Sequence, residues 1–574
     1  MRGKKFVRLI GALTIAASML VTACSSKPAG DSSASAATQN KGPSGTFVYA
    51  NVQDAKILNP ILSSDTYSSA INSRVFDGMI TFDENANPKP NLAKSWDIAP
   101  DNLSITFHLR DDVKWHDGEK FTAKDVAFTF NAILHPLYTG PRRGDYSALK
   151  GVKDMDAKIA ALPKDAADRD AQADKIWQDW VKNSGAIVIK DDYTITFSLD
   201  QVFAPVLANL AMGIIPEHLY KGTEGKKMAD SEWNQKPVGT GPMKFVEWKK
   251  GDQIKLETNP DYKWGLLGHP YKFKTFIYKV VPDANAGMAA LENGEVDYAA
   301  LDYDNWDKFT KLPSVQTFEW TAWSYQFIGY NFHDPIVSDK LVRQALTSAI
   351  DRDSIVKDLK KGHAMVANTH GAPGRWDFND SVTKWPYDPT KAGQLLDQAG
   401  WKMGPDGIRT KDGKKLTITF TYSSGDKSLE QQATFIQQSW KKVGVDAKLE
   451  GIKFETILDK MKDDSLQSFT IGWSLGVEPD PYSIWDSKGG FNYMNHYSNP
   501  AVDKLIEDGR ATMDQAKRKA DYSQMQELLA QDQPYTWLAF NNTLAGFSKR
   551  VHGLKPTPAG GFTWNIADWT VDGN

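Results

Sequence analysis

Residues 414–422 read KKLTITFTY, residues 428–444 read SLEQQATFIQQSWKKVG and residues 445–452 read VDAKLEGI. The first and third stretches alternate apolar and polar side chains as strands do, and the middle one spaces its apolar residues as a helix does. Strand, helix and strand in that order set the two strands parallel, joined by a right-handed crossover. This unit makes the body of the chain mixed α/β. Other segments agree with it. SITFHLR (104–110) and YTITFSL (193–199) alternate as strands. FTAKDVAFTFNAIL (121–134) opens with Thr122 and Asp125 in capping-box spacing, and YDPTKAGQLLDQAG (387–400) runs from a cap at Asp388 through Pro389 to a stop at Gly400.

A chain of 574 residues is too long for one ordinary domain, so more than one lobe is expected. With 41% hydrophobic and 24% charged residues it can bury a large core. A formal net charge of −3 offers no polycationic surface to nucleic acid. The Ala- and charge-rich stretch from about 153 to 182 reads as a surface helical insertion.

The first 23 residues have the plan of a secretion signal: a basic start, the apolar run LIGALTIAASMLV, then TAC. The sole cysteine of the chain, Cys24, stands at the cleavage point. An exported body without further cysteine has no disulfides and depends on packing. LVTAC resembles a bacterial lipobox, which implies a lipid on Cys24 and anchoring to the membrane by two or more acyl chains. Residues 24–45, rich in Ser, Ala and Gly, read as a flexible tether.

GWSLG at 472–476 spells G-x-S-x-G, the pattern of a nucleophile elbow. That elbow needs a helix to start at the serine, whereas Pro479 and Pro481 follow closely. A serine hydrolase using Ser474, with Asp480, His496 or His552 as partners, is therefore the alternative and not the main reading. His108, His116, His363 and His370 lack the spacing of a zinc site. GTGP at 239–242 reads as a turn and not a phosphate cradle. No metal or cofactor is expected.

Four long stretches are similar, in the same order, to the family 5 extracellular solute-binding proteins. They are NPKPNLAKSWDIAPDNLSITFHLRDDVKWHDGEKFTAKDVAFTFN (87–131), GTGPMKFVEWKKGDQIKLETNPDYKW (239–264), VPDANAGMAALENGEVDYA (281–299) and SDKLVRQALTSAIDRDSIV (338–356). The resemblance runs from about residue 46 to the end and is greatest to the oligopeptide-binding lipoproteins of Gram-positive bacteria. It implies a periplasmic-binding-protein-like α/β fold, with two mixed lobes, a hinge and an extra domain. Domain I would comprise 46–80, 195–300 and 531–574, domain II 81–194, and domain III 301–530. The implied function is that of a monomeric, non-enzymatic receptor on the outer face of the cell membrane. It would deliver oligopeptides to the permease of an ABC importer; a nickel chelate or an oligosaccharide is the rival ligand.

The resemblance also implies site residues. Ser64, Asp65 and Thr66 would pair with the peptide from one side, and Gly472 and Ser474 from the other. Trp473 would wall a side-chain pocket, with Phe454 and Trp537 as further aromatic candidates. Where well-known peptide binders carry charges for the ligand termini, this chain has Gly476, Thr470 and Met461. Glu478 or Asp480 is the expected substitute partner for the peptide amino group.

Overall fold

The computed structural model describes residues 43–573; Cys24, the leader and most of the tether lie outside them. Its largest sheet has twelve strands and is organised around Tyr535–Ser548. The first part of that strand pairs antiparallel with Ser324–Tyr330, through Gly329↔Tyr535 to Gln326↔Ala539. Its second part pairs with Val315–Thr321, from Thr321↔Asn542 to Val315↔Ser548.

The side chains of this strand follow the same division. Tyr535, Trp537 and Phe540 enter one apolar core, and Leu538 enters a second beneath the strand–helix–strand unit. Leu544 enters a third core, and Ala545 and Phe547 enter the largest, which also holds residues of the N-terminal 200. Between them Asn541, Asn542 and Thr543 are only half-buried. Hydrogen bonds hold this polar crossing to its neighbour: Thr321 Oγ1 donates to Asn542 Oδ1 at 3.0 Å, and Ala322 N to Asn541 O at 3.3 Å. The two antiparallel chain segments thus change cores together, at residues 321–323 and 541–543.

The strand–helix–strand unit forms as its sequence requires. Thr417–Ser423 and Asp446–Ile452 are parallel, joined by the helix Lys427–Lys442. Asp426 caps the helix by accepting from Ser428 N and Leu429 N, and Gly444 leaves it at φ +87°. Ala433, Ile436 and Trp440 face the sheet, fully buried, and the Trp440 indole N–H donates to Leu346 O at 3.0 Å. Truncating a tryptophan so placed costs about 3–5 kcal/mol.

The capping box at Thr122 and Asp125 is formed, as is the cap of Asp388 on Pro389–Gln398. Residues 153–182 form most of two helices, Val152–Ala160 and Arg169–Asn183. They are not wholly superficial, because Met155 and Trp180 anchor them in the large core. A separate four-stranded antiparallel sheet takes up SITFHL and TITFS.

Candidate functional site

The strand Ser468–Ser474 pairs along its whole length with Ser324–Tyr330 on its inner side. Its outer side pairs with Thr417–Ser423 only at Ser468 and Phe469. Among the described residues, no strand takes up the outer side of residues 470–474. Which groups face that gap follows from the register. Leu475 N donates to Trp323 O at 2.7 Å, and Ser474 stands opposite Ser324. In an antiparallel ladder, residues bonded to the partner alternate with residues whose N–H and C=O point away. Phe469, Ile471 and Trp473 are therefore bonded inward, while Thr470, Gly472 and Ser474 present their main-chain groups to the open side.

Gly472 and Ser474 are exposed. At Gly472 a Cβ would stand 3.1 Å from the Tyr325 carbonyl oxygen, so the glycine allows the backbones their close approach. Trp473 is half-buried and meets Phe491 with ring centroids 5.0 Å apart; Phe491 in turn meets Tyr493 at 6.4 Å. Phe491 is 41% exposed, large for such an apolar ring. It extends the wall that Trp473 begins, and nothing in FNYMNHY marks that role in the sequence.

After Ser474 the chain does not enter a helix; the next one is the short Tyr482–Trp485. No nucleophile elbow forms, and among the described residues Ser474 has no hydrogen bond to Asp480, His496 or His552. Glu478 lies against Arg518 as an ion pair, and Asp480 against Arg510 with 3.1 Å between Oδ2 and Nε. Burial raises both carboxyls above the usual carboxylate range, and the arginines oppose that shift. Both acids are thus already partnered within the chain, which corrects the picture of either as a vacant anchor. Arg375 is locked to Asp377 at 2.5 Å, both almost fully buried, and its Nη1 donates to Gly476 O at 3.4 Å.

A carboxylate missed in the sequence lies across from this segment. Asp145 lines a cavity of about 460 Å³ together with Asn72, Ser73, Arg142 and Asn209. Its backbone carbonyl accepts from Asn209 Nδ2 at 2.7 Å, but its carboxylate accepts no hydrogen bond among the described residues. Its carboxyl is raised first by desolvation in the cavity mouth and further by Asp480, against Arg142. The charge of Asp480 therefore reaches Asp145. The same region is bridged by Arg510, whose carbonyl accepts from Ala204 N at 2.9 Å and whose guanidinium lies 4.9 Å over Phe203.

The other expected residues divide. Ser64 and Thr66 are exposed at the start of the helix Thr66–Val75. Asp65 is that helix's cap: its carboxylate accepts from Ser68 N and Ser68 Oγ, each at 2.8 Å. Among the described residues no hydrogen bond joins this loop to the open strand edge. Phe454 is 46% exposed as the first residue of Phe454–Lys462. Trp537 has to be withdrawn as a pocket residue. It is 1% exposed, packed against Trp485 and Tyr535, and a covered ring has no face for a ligand. Thr470 and Met461, which replace expected arginines, are buried too, Thr470 Oγ1 donating to Phe327 O at 2.9 Å.

A twelve-stranded mixed sheet split between cores, with an open strand edge beside an aromatic wall, is the frame of a solute-binding protein. The chain belongs to the bacterial extracellular solute-binding proteins, family 5, whose model matches residues 87–495. It is 32% identical to the oligopeptide-binding protein AppA of Bacillus subtilis (strain 168) over 583 residues, 99% of each chain. The structure of that Bacillus subtilis protein in complex with a nonapeptide is similar at TM-score 0.76 and 30% identity, covering 92% of this chain and 99% of that one. NikZ from Campylobacter jejuni in complex with Ni(L-His) is similar at TM-score 0.75 and 29% identity, with the same coverage.

Proposed function

We propose that this protein captures oligopeptides outside the cell and hands them to the permease of an ABC importer. The observation that carries the reading is the open edge at Thr470, Gly472 and Ser474. An extended peptide laid along it completes the ladder by strand addition, and its side chains alternate between the aromatic wall and the opposite face. Each main-chain bond adds about 0.5–1.5 kcal/mol whatever the peptide's sequence, which favours breadth over selectivity. Ser64 and Thr66 would close on the ligand from the other lobe, Asp65 acting through its backbone because its carboxylate is engaged. We place the amino group of the peptide at Asp145, whose desolvated carboxyl a cation relieves.

In this reading the hinge is the polar crossing at 321–323 and 541–543, so residues 301–321 move with domain I. Opening then breaks the contacts of Arg510 with Phe203 and Ala204, and ligand favours closure only by binding that state more tightly. The mature protein is a monomer tethered through lipid on Cys24; Cys24→Ser should shift it from the membrane fraction to the medium, and unchanged retention would refute the anchor. Mass spectrometry of ligand released from the purified protein, followed by calorimetry with those peptides and with nickel–histidine, tests the ligand class. Saturable uptake of the nickel chelate by a protein indifferent to peptides would overturn the peptide reading.

A further inference from the structure

At the end of the strand Ser468–Ser474 remote from the open edge, three loops converge. His333 follows Ser324–Tyr330, Asp464 follows Phe454–Lys462, and His496 lies between Asn492–Met494 and Pro500–Arg510. Phe332 N donates to Asn495 O at 2.8 Å and Asn331 N to Gln467 O at 3.0 Å, so the backbones are tied together. His333 Nδ1 is 2.8 Å from Asp464 Oδ2, and His496 Nε2 is 3.1 Å from Asp464 Oδ1. The two imidazoles stack with centroids 3.9 Å apart. All three donor atoms lie within 4.8 Å of one another.

We infer that His333, Asp464 and His496 form a binding site for a divalent transition-metal ion of the zinc type, separate from the solute cleft. Two imidazole nitrogens and a carboxylate are the donor set of three-ligand zinc sites, with water completing the tetrahedron. Donors each about 2.0–2.1 Å from such an ion stand roughly 3.3 Å apart, so atoms now within 4.8 Å of one another draw in by at most about 1.5 Å to hold it. The His496 Nε2 atom supports the inference independently. It is shielded from solvent and makes no aligned hydrogen bond, although Asp464 is so near. No protein group completes that shielded nitrogen, and a metal ion held beside Asp464 would.

The surroundings orient the ligands as they do around metals. Asn331 Nδ2 donates to Asp464 Oδ1 at 2.7 Å, and Asn331 Oδ1 accepts from His333 N at 2.9 Å. Other histidine–aspartate pairs on the surface, such as His108–Asp97 and His218–Asp117, bring one imidazole each. From the Ser468 end of the strand, at some 3.3 Å per residue, Thr470 is about 7 Å and Ser474 about 20 Å away, so metal here lies outside the open edge.

The test is zinc binding by the protein carrying no affinity tag, measured by calorimetry and by the rise in melting temperature with Zn²⁺. One ion per chain is expected, with affinity falling as the pH is lowered and protons compete for the imidazoles. His333→Gln and His496→Gln should each weaken binding about tenfold or more and abolish the zinc-dependent rise, while His108→Gln changes neither. Asp464 has φ 56°, and Asp464→Asn keeps a side chain that tolerates this backbone, so its loss of zinc binding reports ligation and not folding. Because the rise is measured within each variant, a lower starting stability does not obscure it. No stoichiometric zinc, or the same binding in both glutamine variants, would overturn the site.

Discussion

Residues 470–474 and 476–480 are neighbours in the chain and opposites in chemistry. The first stretch leaves main-chain donors and acceptors open and brings no charge. The second is crowded with charge and leaves almost none open: Glu478 goes to Arg518, Asp480 to Arg510, and Gly476 O to Arg375, itself held by Asp377. The difference assigns the two stretches separate work. In the proposed reading the acid–arginine segment holds the strand end in place, and the open edge recognises ligand. Asp145 is the exception, a carboxyl near the charged stretch with no donor of its own.

The largest effect should come from unpairing the charged stretch. Arg518→Ala leaves Glu478 in a mostly buried place without its counter-ion, a loss of about 3–5 kcal/mol. Urea unfolding should show a lower midpoint, and adding Glu478→Gln should recover much of it. If the single variant unfolds like wild type while peptide affinity collapses, then Glu478 belongs to recognition and the contrast fails.

Next comes the open edge. Ser474→Pro removes one outward N–H where proline is tolerated sterically, at an edge facing no other strand. Losing one ligand bond should weaken peptide binding about tenfold by calorimetry, with little change in the urea midpoint. An unaltered affinity would mean that the peptide does not add to this edge.

A smaller effect is expected at Asp145. Its carboxyl is raised in the folded protein, so the folded state holds the proton more tightly than the unfolded one. The stability this carries is complete below the unfolded carboxylate pKa, about 3.9, and is lost as the pH rises through the raised value. Asp145→Asn should therefore match wild type near pH 3.5 and exceed it at pH 7, screening by solvent keeping the gain within about 0.5 kcal/mol. In binding, the same change should cost peptides with a free amino group about fivefold, the ~1 kcal/mol of a partly screened ion pair, and N-acetylated peptides nothing. Equal losses for both peptides would remove Asp145 from the anchor.

What the sequence revealed and what it hid divide along the range of the interactions. The capping box at Thr122 and the unit from Thr417 to Ile452 are local, so residue order alone exposes them. The prolines after Ser474 exclude a helix there by the same short-range logic. Trp537 deceived because an aromatic residue in an alternating strand looks alike whether its face meets a core or a cleft. The arginines that occupy Glu478 and Asp480 come from positions 518 and 510, on helices whose packing no local pattern encodes. The division of Tyr535–Ser548 between cores is likewise set by partners some 200 residues upstream.

The smallest expected effect is the most discriminating for Ser474 itself. Its side chain is exposed, and the edge uses its main-chain N–H and C=O, which any residue but proline supplies. Ser474→Ala should thus leave peptide affinity within about twofold and stability within about 0.5 kcal/mol, because no bond to the ligand backbone is touched. A nucleophile behaves differently: removing its hydroxyl abolishes turnover, whatever remains of binding. Wild-type protein incubated with peptides and aryl esters should release no product, and the alanine variant should be indistinguishable from it. Ester hydrolysis that disappears with the hydroxyl would return GWSLG to catalysis and make the open edge incidental.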